Sequence, residues 1–299
     1  MIAVSLLWIP FTLLAAAGQT ARNAMQRELT AALGTVGATH VRFLFGFPFA
    51  AIFLAGVLMV TGLPWPAVPL VFWPWVVLGA GAQIVATATM LATMNDRSFV
   101  VTIAYIKTEA IQAALFGLIF LGDRVTPGMV VAILVATAGV IAMSLKGKGA
   151  MEGGYRPVAL GLFSGAMFAL SAIGYRGAIL SLGLPSFVLA ATFTVTAGLL
   201  LQAVLLTLYL ALRDRAVLDA IVRAWRPSMF AGFMGATASE FWFLAFAITS
   251  VANVRTLALV EVLFAQAISL FVFKQKTTRR DAVGIVLIVV GVLLLIWVQ

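Results

Sequence analysis

Residues 281–298 read Asp281-Ala-Val-Gly-Ile-Val-Leu-Ile-Val-Val-Gly-Val-Leu-Leu-Leu-Ile-Trp-Val298. Past the opening aspartate the stretch carries no charge, and glycine and one tryptophan are all that interrupt its aliphatic side chains. A helix of ~20 apolar residues crosses the ~30 Å hydrocarbon core of a bilayer. Apolar residues here follow one another without strict alternation, which excludes a strand of a transmembrane barrel. Working outward, similar runs fall near residues 3–24, 34–60, 68–94, 98–121 and 127–145, and again near 158–181, 185–211, 227–249 and 252–273. The sequence therefore predicts an all-α polytopic membrane protein of ten transmembrane helices.

Composition agrees. Of 299 residues, 63% are apolar and 10% charged, with a mean hydropathy of +1.13. A soluble domain carries ~25% charged residues. A soluble enzyme, a disulfide scaffold and a disordered chain are excluded. There are no cysteines and one histidine, so thiolate chemistry and the usual zinc sites are absent. Lys146-Gly147-Lys148-Gly149 lacks the spacing and hydroxyl residue of a phosphate-binding loop, which argues against direct ATP drive. Neither Gly-x-Ser-x-Gly nor His-Glu-x-x-His occurs. No cofactor and no metal are expected.

The net charge of +9 would suggest nucleic acid in a soluble chain, but in a membrane chain Lys and Arg mark cytoplasmic loops. Most of the 19 basic residues fall in the odd-numbered connections: Arg22 and Arg27; Arg97; Lys146, Lys148 and Arg156; Arg213, Arg215, Arg223 and Arg226; Lys274, Lys276, Arg279 and Arg280. Those connections are expected in the cytoplasm and both termini outside, in a plasma membrane. No positive charge precedes the first apolar run, so it reads as a retained span, not a signal peptide.

Sliding residues 105–144 onto 257–296 brings Glu109 to Glu261, Arg124 to Lys276, Thr126 to Thr278 and Gly139 to Gly291 without a gap. Upstream, Arg22 falls near Arg176, and Arg42-Phe43 falls on Thr192-Phe193. The basic, glycine-rich stretch from Lys146 to Gly154 then divides the chain into two five-helix repeats, 1–149 and 150–299. An odd number of crossings per unit makes the repeats inverted, a build that recurs in secondary transporters.

The run from Glu109 to Leu121 followed by Gly122-Asp123-Arg124-Val125-Thr126, with Gly139 beyond it, resembles the repeat signature of the drug/metabolite transporter superfamily, EamA type. The second copy departs from it, with Lys274-Gln275-Lys276-Thr277-Thr278 in place of the acidic residue. Length and basic inner loops also look like the aromatic amino-acid exporters of that group, the YddG type. The resemblance implies export of amino acids (aromatic and other neutral ones) or related small metabolites, by alternating access through a central cavity. The expected partners are that small-molecule substrate and the lipid bilayer, with no nucleic acid. The oligomeric state is open, and a monomer is compatible with it.

Polar groups inside hydrocarbon are costly, which marks the candidates. Tyr105, Glu109 and Gln112 share one face of the fourth span, and Asn253 and Glu261 one face of the ninth. Glu240 and Trp242 lie on the eighth, Gln83 on the third, and Gln19 and Asn23 on the first. His40 opens the second and could bind substrate or relay a proton. Two readings compete for the carboxylates: they line a cavity, or they lock helices by pairing with Arg42, Lys107, Arg176 or Arg255. Lys107, two residues from Glu109, is expected to point away from it. Gly161 and Gly165 are expected to form a close helix seam. Lipophilic-cation efflux and an intramembrane enzyme are the alternatives to metabolite export.

Overall fold

The computed structural model describes residues 4–96, 99–144, 155–264, 266 and 279–298. All regular structure among them is helical. The helices are α1 (Trp8–Leu44), α2 (Gly46–Thr61), α3 (Phe72–Asp96), α4 (Phe99–Ile106), α5 (Glu109–Phe116), α6 (Pro127–Ser144), α7 (Tyr155–Ser181), α8 (Phe187–Arg213), α9 (Arg215–Arg223), α10 (Trp225–Ile248), α11 (Val251–Leu257) and α12 (Arg279–Trp297). Among the described residues, seven stretches are long and apolar enough to cross a membrane: Val4–Asn23, Glu28–Thr61, Phe72–Met94, Tyr155–Ser181, Phe187–Arg213, Trp225–Ile248 and Arg279–Trp297. The apolar runs expected near 98–121 and 127–145 form shorter helices, and the run near 252–273 lies partly outside the described residues. So do the division at 149/150, Arg97, Lys146, Lys148, Lys274, Lys276 and Thr278.

Helix α1 is interrupted at a single residue. Gly34 sits at φ 67°, ψ 175°, a backbone conformation open to glycine alone. Across it, Gln26 Nε2 donates to the carbonyl of Ala38 at 3.1 Å. A straight helix would hold those residues ~18 Å apart, so the two arms of α1 fold back as a hairpin. This corrects the expectation that Arg22 lies in a cytoplasmic connection. Helix continues past it to Gly34, and its side chain is buried in the bundle.

Two helices break at matching places. Helix α4 ends at Ile106, Lys107 and Thr108 form a turn, and α5 begins at Glu109. Helix α11 ends at Leu257, Ala258–Val260 form a 3-10 turn, and helix resumes at Glu261. The first break also corrects the expectation for Lys107. With the helix interrupted, its ammonium reaches back to within 3.9 Å of Glu109.

The most extensive contacts run along α3 and α7, α1 and α10, and α6 and α12. Small residues let these backbones approach. A Cβ on Gly139 would lie 2.7 Å from the Gly284 carbonyl, and one on Gly291 2.6 Å from the Ala136 nitrogen. Gly161 and Gly165 form the expected seam, against Tyr105 and the Ile106 carbonyl. The outside of the bundle is apolar, with Val60 and Leu70 each 88% exposed. The inside holds arginine, lysine and glutamate. That inverts a water-soluble protein and suits a multi-pass membrane protein.

Candidate functional site

Glu109 and Glu261, each just after a helix break, face one another through Lys107. Its Nζ donates to Glu261 Oε2 at 2.5 Å and lies 3.9 Å from Glu109 Oε1. Arg255 Nη1 is 3.7 Å from that same Glu109 oxygen. The Arg255 guanidinium also sits 4.7 Å over the Trp242 ring, a cation–π contact. Trp242 Nε1 donates to Gln19 Oε1 at 3.1 Å, and Gln19 Nε2 donates to Glu261 Oε2 at 3.3 Å. Six residues thus form a closed ring of polar contacts drawn from α1, the α4–α5 turn, α5, α10, α11 and the helix resuming at Glu261.

Two further guanidiniums flank this ring. Arg22 and Arg42, on opposite arms of the Gly34 hairpin, each lie 3.4 Å from the place a Cβ would take on Gly235. Arg22 Nη2 donates to Asn23 Oδ1 at 2.8 Å, and Arg42 Nη1 to Thr87 Oγ1 at 3.3 Å. Arg42 also lies 5.2 Å from the Phe43 ring centre. Exposure is 1% for Arg22, 2% for Arg42 and Lys107, and 5% for Arg255.

Two adjoining hollows open onto this cluster, sharing Gln19, Phe168 and Arg255 in their walls. One is walled also by Arg42, Gln83, Tyr175 and Trp242; the other by Arg22, Asn23, Lys107 and Glu109. Each has a volume of about 10 Å³, room for roughly one water and far below the ~300 Å³ of a small-molecule pocket. The site is closed. Larger hollows of about 390 and 200 Å³ lie elsewhere, with mostly apolar walls. They are open grooves away from the ring, the larger bordered by Arg279 and Arg280.

Of the sequence candidates, Gln19, Asn23, Gln83, Glu109, Trp242 and Glu261 come together here. Gln83 accepts from Tyr175 and from Gln202 Nε2 at 2.9 Å. The other five are placed differently. His40 is buried between helices, its Nε2 3.0 Å from Thr207 Oγ1. Tyr105 packs on Gly161. Gln112 donates to the Leu162 carbonyl at 3.4 Å. Glu240 accepts a hydrogen bond from Thr192. Asn253 donates to Thr249, one turn back on its own segment. Helical spacing put these side chains on the right helices, but the breaks and partner helices decided which of them meet.

The sequence reading gave Arg22 no site role, treated Arg42 and Arg255 only as ion-pair partners, and omitted Tyr175. A signal for Arg22 existed: Gln19, Arg22, Asn23 and Gln26 recur at helical spacing on one face. At the far end of α7, Arg176 makes a second polar knot. It donates to the carbonyls of Phe246 and Thr249 and lies 3.5 Å from Asp123.

Residues 156–297 match the EamA-like transporter family. That family is one of membrane transporters. The matched residues include Tyr175, Trp242, Arg255 and Glu261 of the ring and its walls, whereas Gln19, Arg22, Arg42, Lys107 and Glu109 precede them. No curated protein matches the chain. Among 27 matching chains of solved structures, a crystal structure of a protein aligns over 99% of this chain and 99% of its own. Its TM-score is 0.72 at 16% sequence identity, which shows a shared fold over the full length.

Proposed function

We propose that the whole chain is a secondary transporter of EamA type that moves amino acids or related small metabolites across the plasma membrane by alternating access. The observation that carries this reading is the buried ring at two helix breaks. Glu109 and Glu261 superpose in the repeat register, and so do the interruptions before them. Discontinuous helices meeting at mid-depth are the usual substrate and ion site of inverted-repeat carriers.

The contacts support ten spans arranged as two inverted repeats. Exchanging the halves turns the α3–α7 pair into the α10–α1 pair and maps the α6–α12 pair onto itself. The Arg42–Thr87 contact between the second and third spans has its counterpart in Thr192–Glu240, between the seventh and eighth. In this reading the closed hollows are one stage of a cycle. Rocking of the repeats opens them to one side at a time, with connections one and seven, and α9, on the cytoplasmic side.

Aromatic walls at Tyr175, Trp242 and Phe246 are compatible with the side chain of an aromatic amino acid. Lipophilic-cation efflux is less well served, because Glu109 and Glu261 already face cations within 4.0 Å. The test is counterflow. Purified protein in sealed liposomes should exchange a labelled metabolite against the same compound inside without altering it. Chemical conversion in detergent, with no exchange in vesicles, would refute transport.

A further inference from the structure

The charged cluster does not balance. Four buried cations, Arg22, Arg42, Lys107 and Arg255, surround two carboxylates, Glu109 and Glu261. Lys107 and Arg255 are the cations matched to those carboxylates. Arg22 and Arg42 have no carboxylate oxygen within 4.0 Å among the described residues, and Glu240 is turned to Thr192 instead. Each uses one nitrogen on a neutral side-chain oxygen, at Asn23 and Thr87. Arg22 Nε and Nη1 and Arg42 Nε are buried with no acceptor.

Burying an uncompensated charge costs several kcal/mol even after relaxation, and each orphaned donor adds to that cost. A guanidinium does not escape by losing its proton, since it stays charged at physiological pH. Structural packing alone has no use for two such groups side by side. A ligand bringing oxygens of opposite charge relieves both. The guanidinium fork matches a carboxylate or phosphate two oxygens at a time. Arg42 borders one hollow, Arg22 the other, and Arg255 both, so one small molecule could span the pair once they open.

We infer that the transported substrate is a small organic anion of net negative charge, whose carboxylate or phosphate oxygens are received by Arg22 and Arg42. This rests on the transport reading and narrows it. The Lys107–Glu261 and Arg255–Glu109 pairs hold the site's walls, and the two guanidiniums without a carboxylate contact set its sign. A neutral amino acid brings its own ammonium and would leave the excess uncompensated.

The test uses the full chain in liposomes with four labelled probes: succinate, glutamate, inorganic phosphate and phenylalanine. Counterflow is expected for at least one anion and not for phenylalanine, with competition among the anions ranking carboxylate against phosphate. R22Q and R42Q should each weaken the anion's half-saturation by about 30-fold. R22K and R42K, which keep the charge and lose the fork, should fall in between and guard against misfolding. Phenylalanine counterflow indifferent to anions and to R22Q would overturn the inference and leave transport standing. With no flux of any probe, thermal melting decides: stabilisation by succinate or phosphate that R22Q removes keeps the anion site while transport fails. The absence of such stabilisation overturns the anion site.

Discussion

Lys107 Nζ meets Glu261 Oε2 at 2.5 Å, joining the break in one helix to the break in the other. The contact is buried and links residues 154 positions apart, so neither broken helix can be displaced without parting it. Removing one partner of such a pair costs ~3–5 kcal/mol, whereas replacing both with apolar groups is often neutral. K107M and E261M should each lower the melting temperature of detergent-solubilised protein strongly. The double variant K107M/E261M should recover much of the loss. Additive losses in that double-mutant cycle would show that the two groups act independently.

The hairpin at Gly34 predicts a sharp contrast between two glycines. A Cβ at φ 67°, ψ 175° is strained by ~1–3 kcal/mol, and G34A should reduce yield and melting temperature accordingly. Gly56 lies inside α2 without a positive φ, and a Cβ there would meet no atom within 4 Å. Alanine there gains up to ~1 kcal/mol of helix propensity. G56A should therefore match or exceed the parent. Equal behaviour of the two variants would dismiss the hairpin.

The sequence made the membrane class legible because lipid demands long apolar runs, and the run ending at Trp297 declares itself by composition alone. The carboxylates Glu109 and Glu261 were legible for the same reason: a charge within such a run is costly unless something holds it. What could not be read was the partnership. Helical spacing assumes an unbroken helix, and that assumption failed at Lys107, where a two-residue turn brings i and i+2 together. Arg22 was lost to the opposite error. It ends an apolar run, which looks like a loop, yet the helix continues to Gly34 and carries it inward. His40 and Asn253 were plausible by chemistry, but Thr207 on α8 and Thr249 nearby engage them first.

Orientation follows from charge and can be checked without a native cysteine to remove. Val222 on the amphipathic helix α9 is 67% exposed, next to Arg223 and near Arg226. Pro185 lies exposed in the turn between α7 and α8. The positive-inside rule puts the first in the cytoplasm and the second outside. In intact cells, P185C should react with an impermeant maleimide and V222C should react only after permeabilisation. The reverse pattern would invert the topology.

The knot at Arg176 carries an unequal pair of predictions. Its guanidinium donates to the carbonyls of Phe246 and Thr249, at the C-terminal end of α10, and faces Asp123 at 3.5 Å. Those carbonyls are orphaned by the helix end and carry the negative pole of its dipole, so a cation there serves both. In D123N the arginine keeps its two carbonyls and loses one ion-pair partner, so a single contact is given up. In R176Q the carbonyls and the carboxylate lose their partner together, and one glutamine amide cannot reach all three. Each group so stranded costs ~1–3 kcal/mol. R176Q should therefore lower the melting temperature clearly more than D123N, and adding D123N to R176Q should restore part of the deficit by removing the stranded charge. If D123N proves the more damaging single change, the carboxylate is the anchor of this knot, and the helix-end carbonyls contribute little to it.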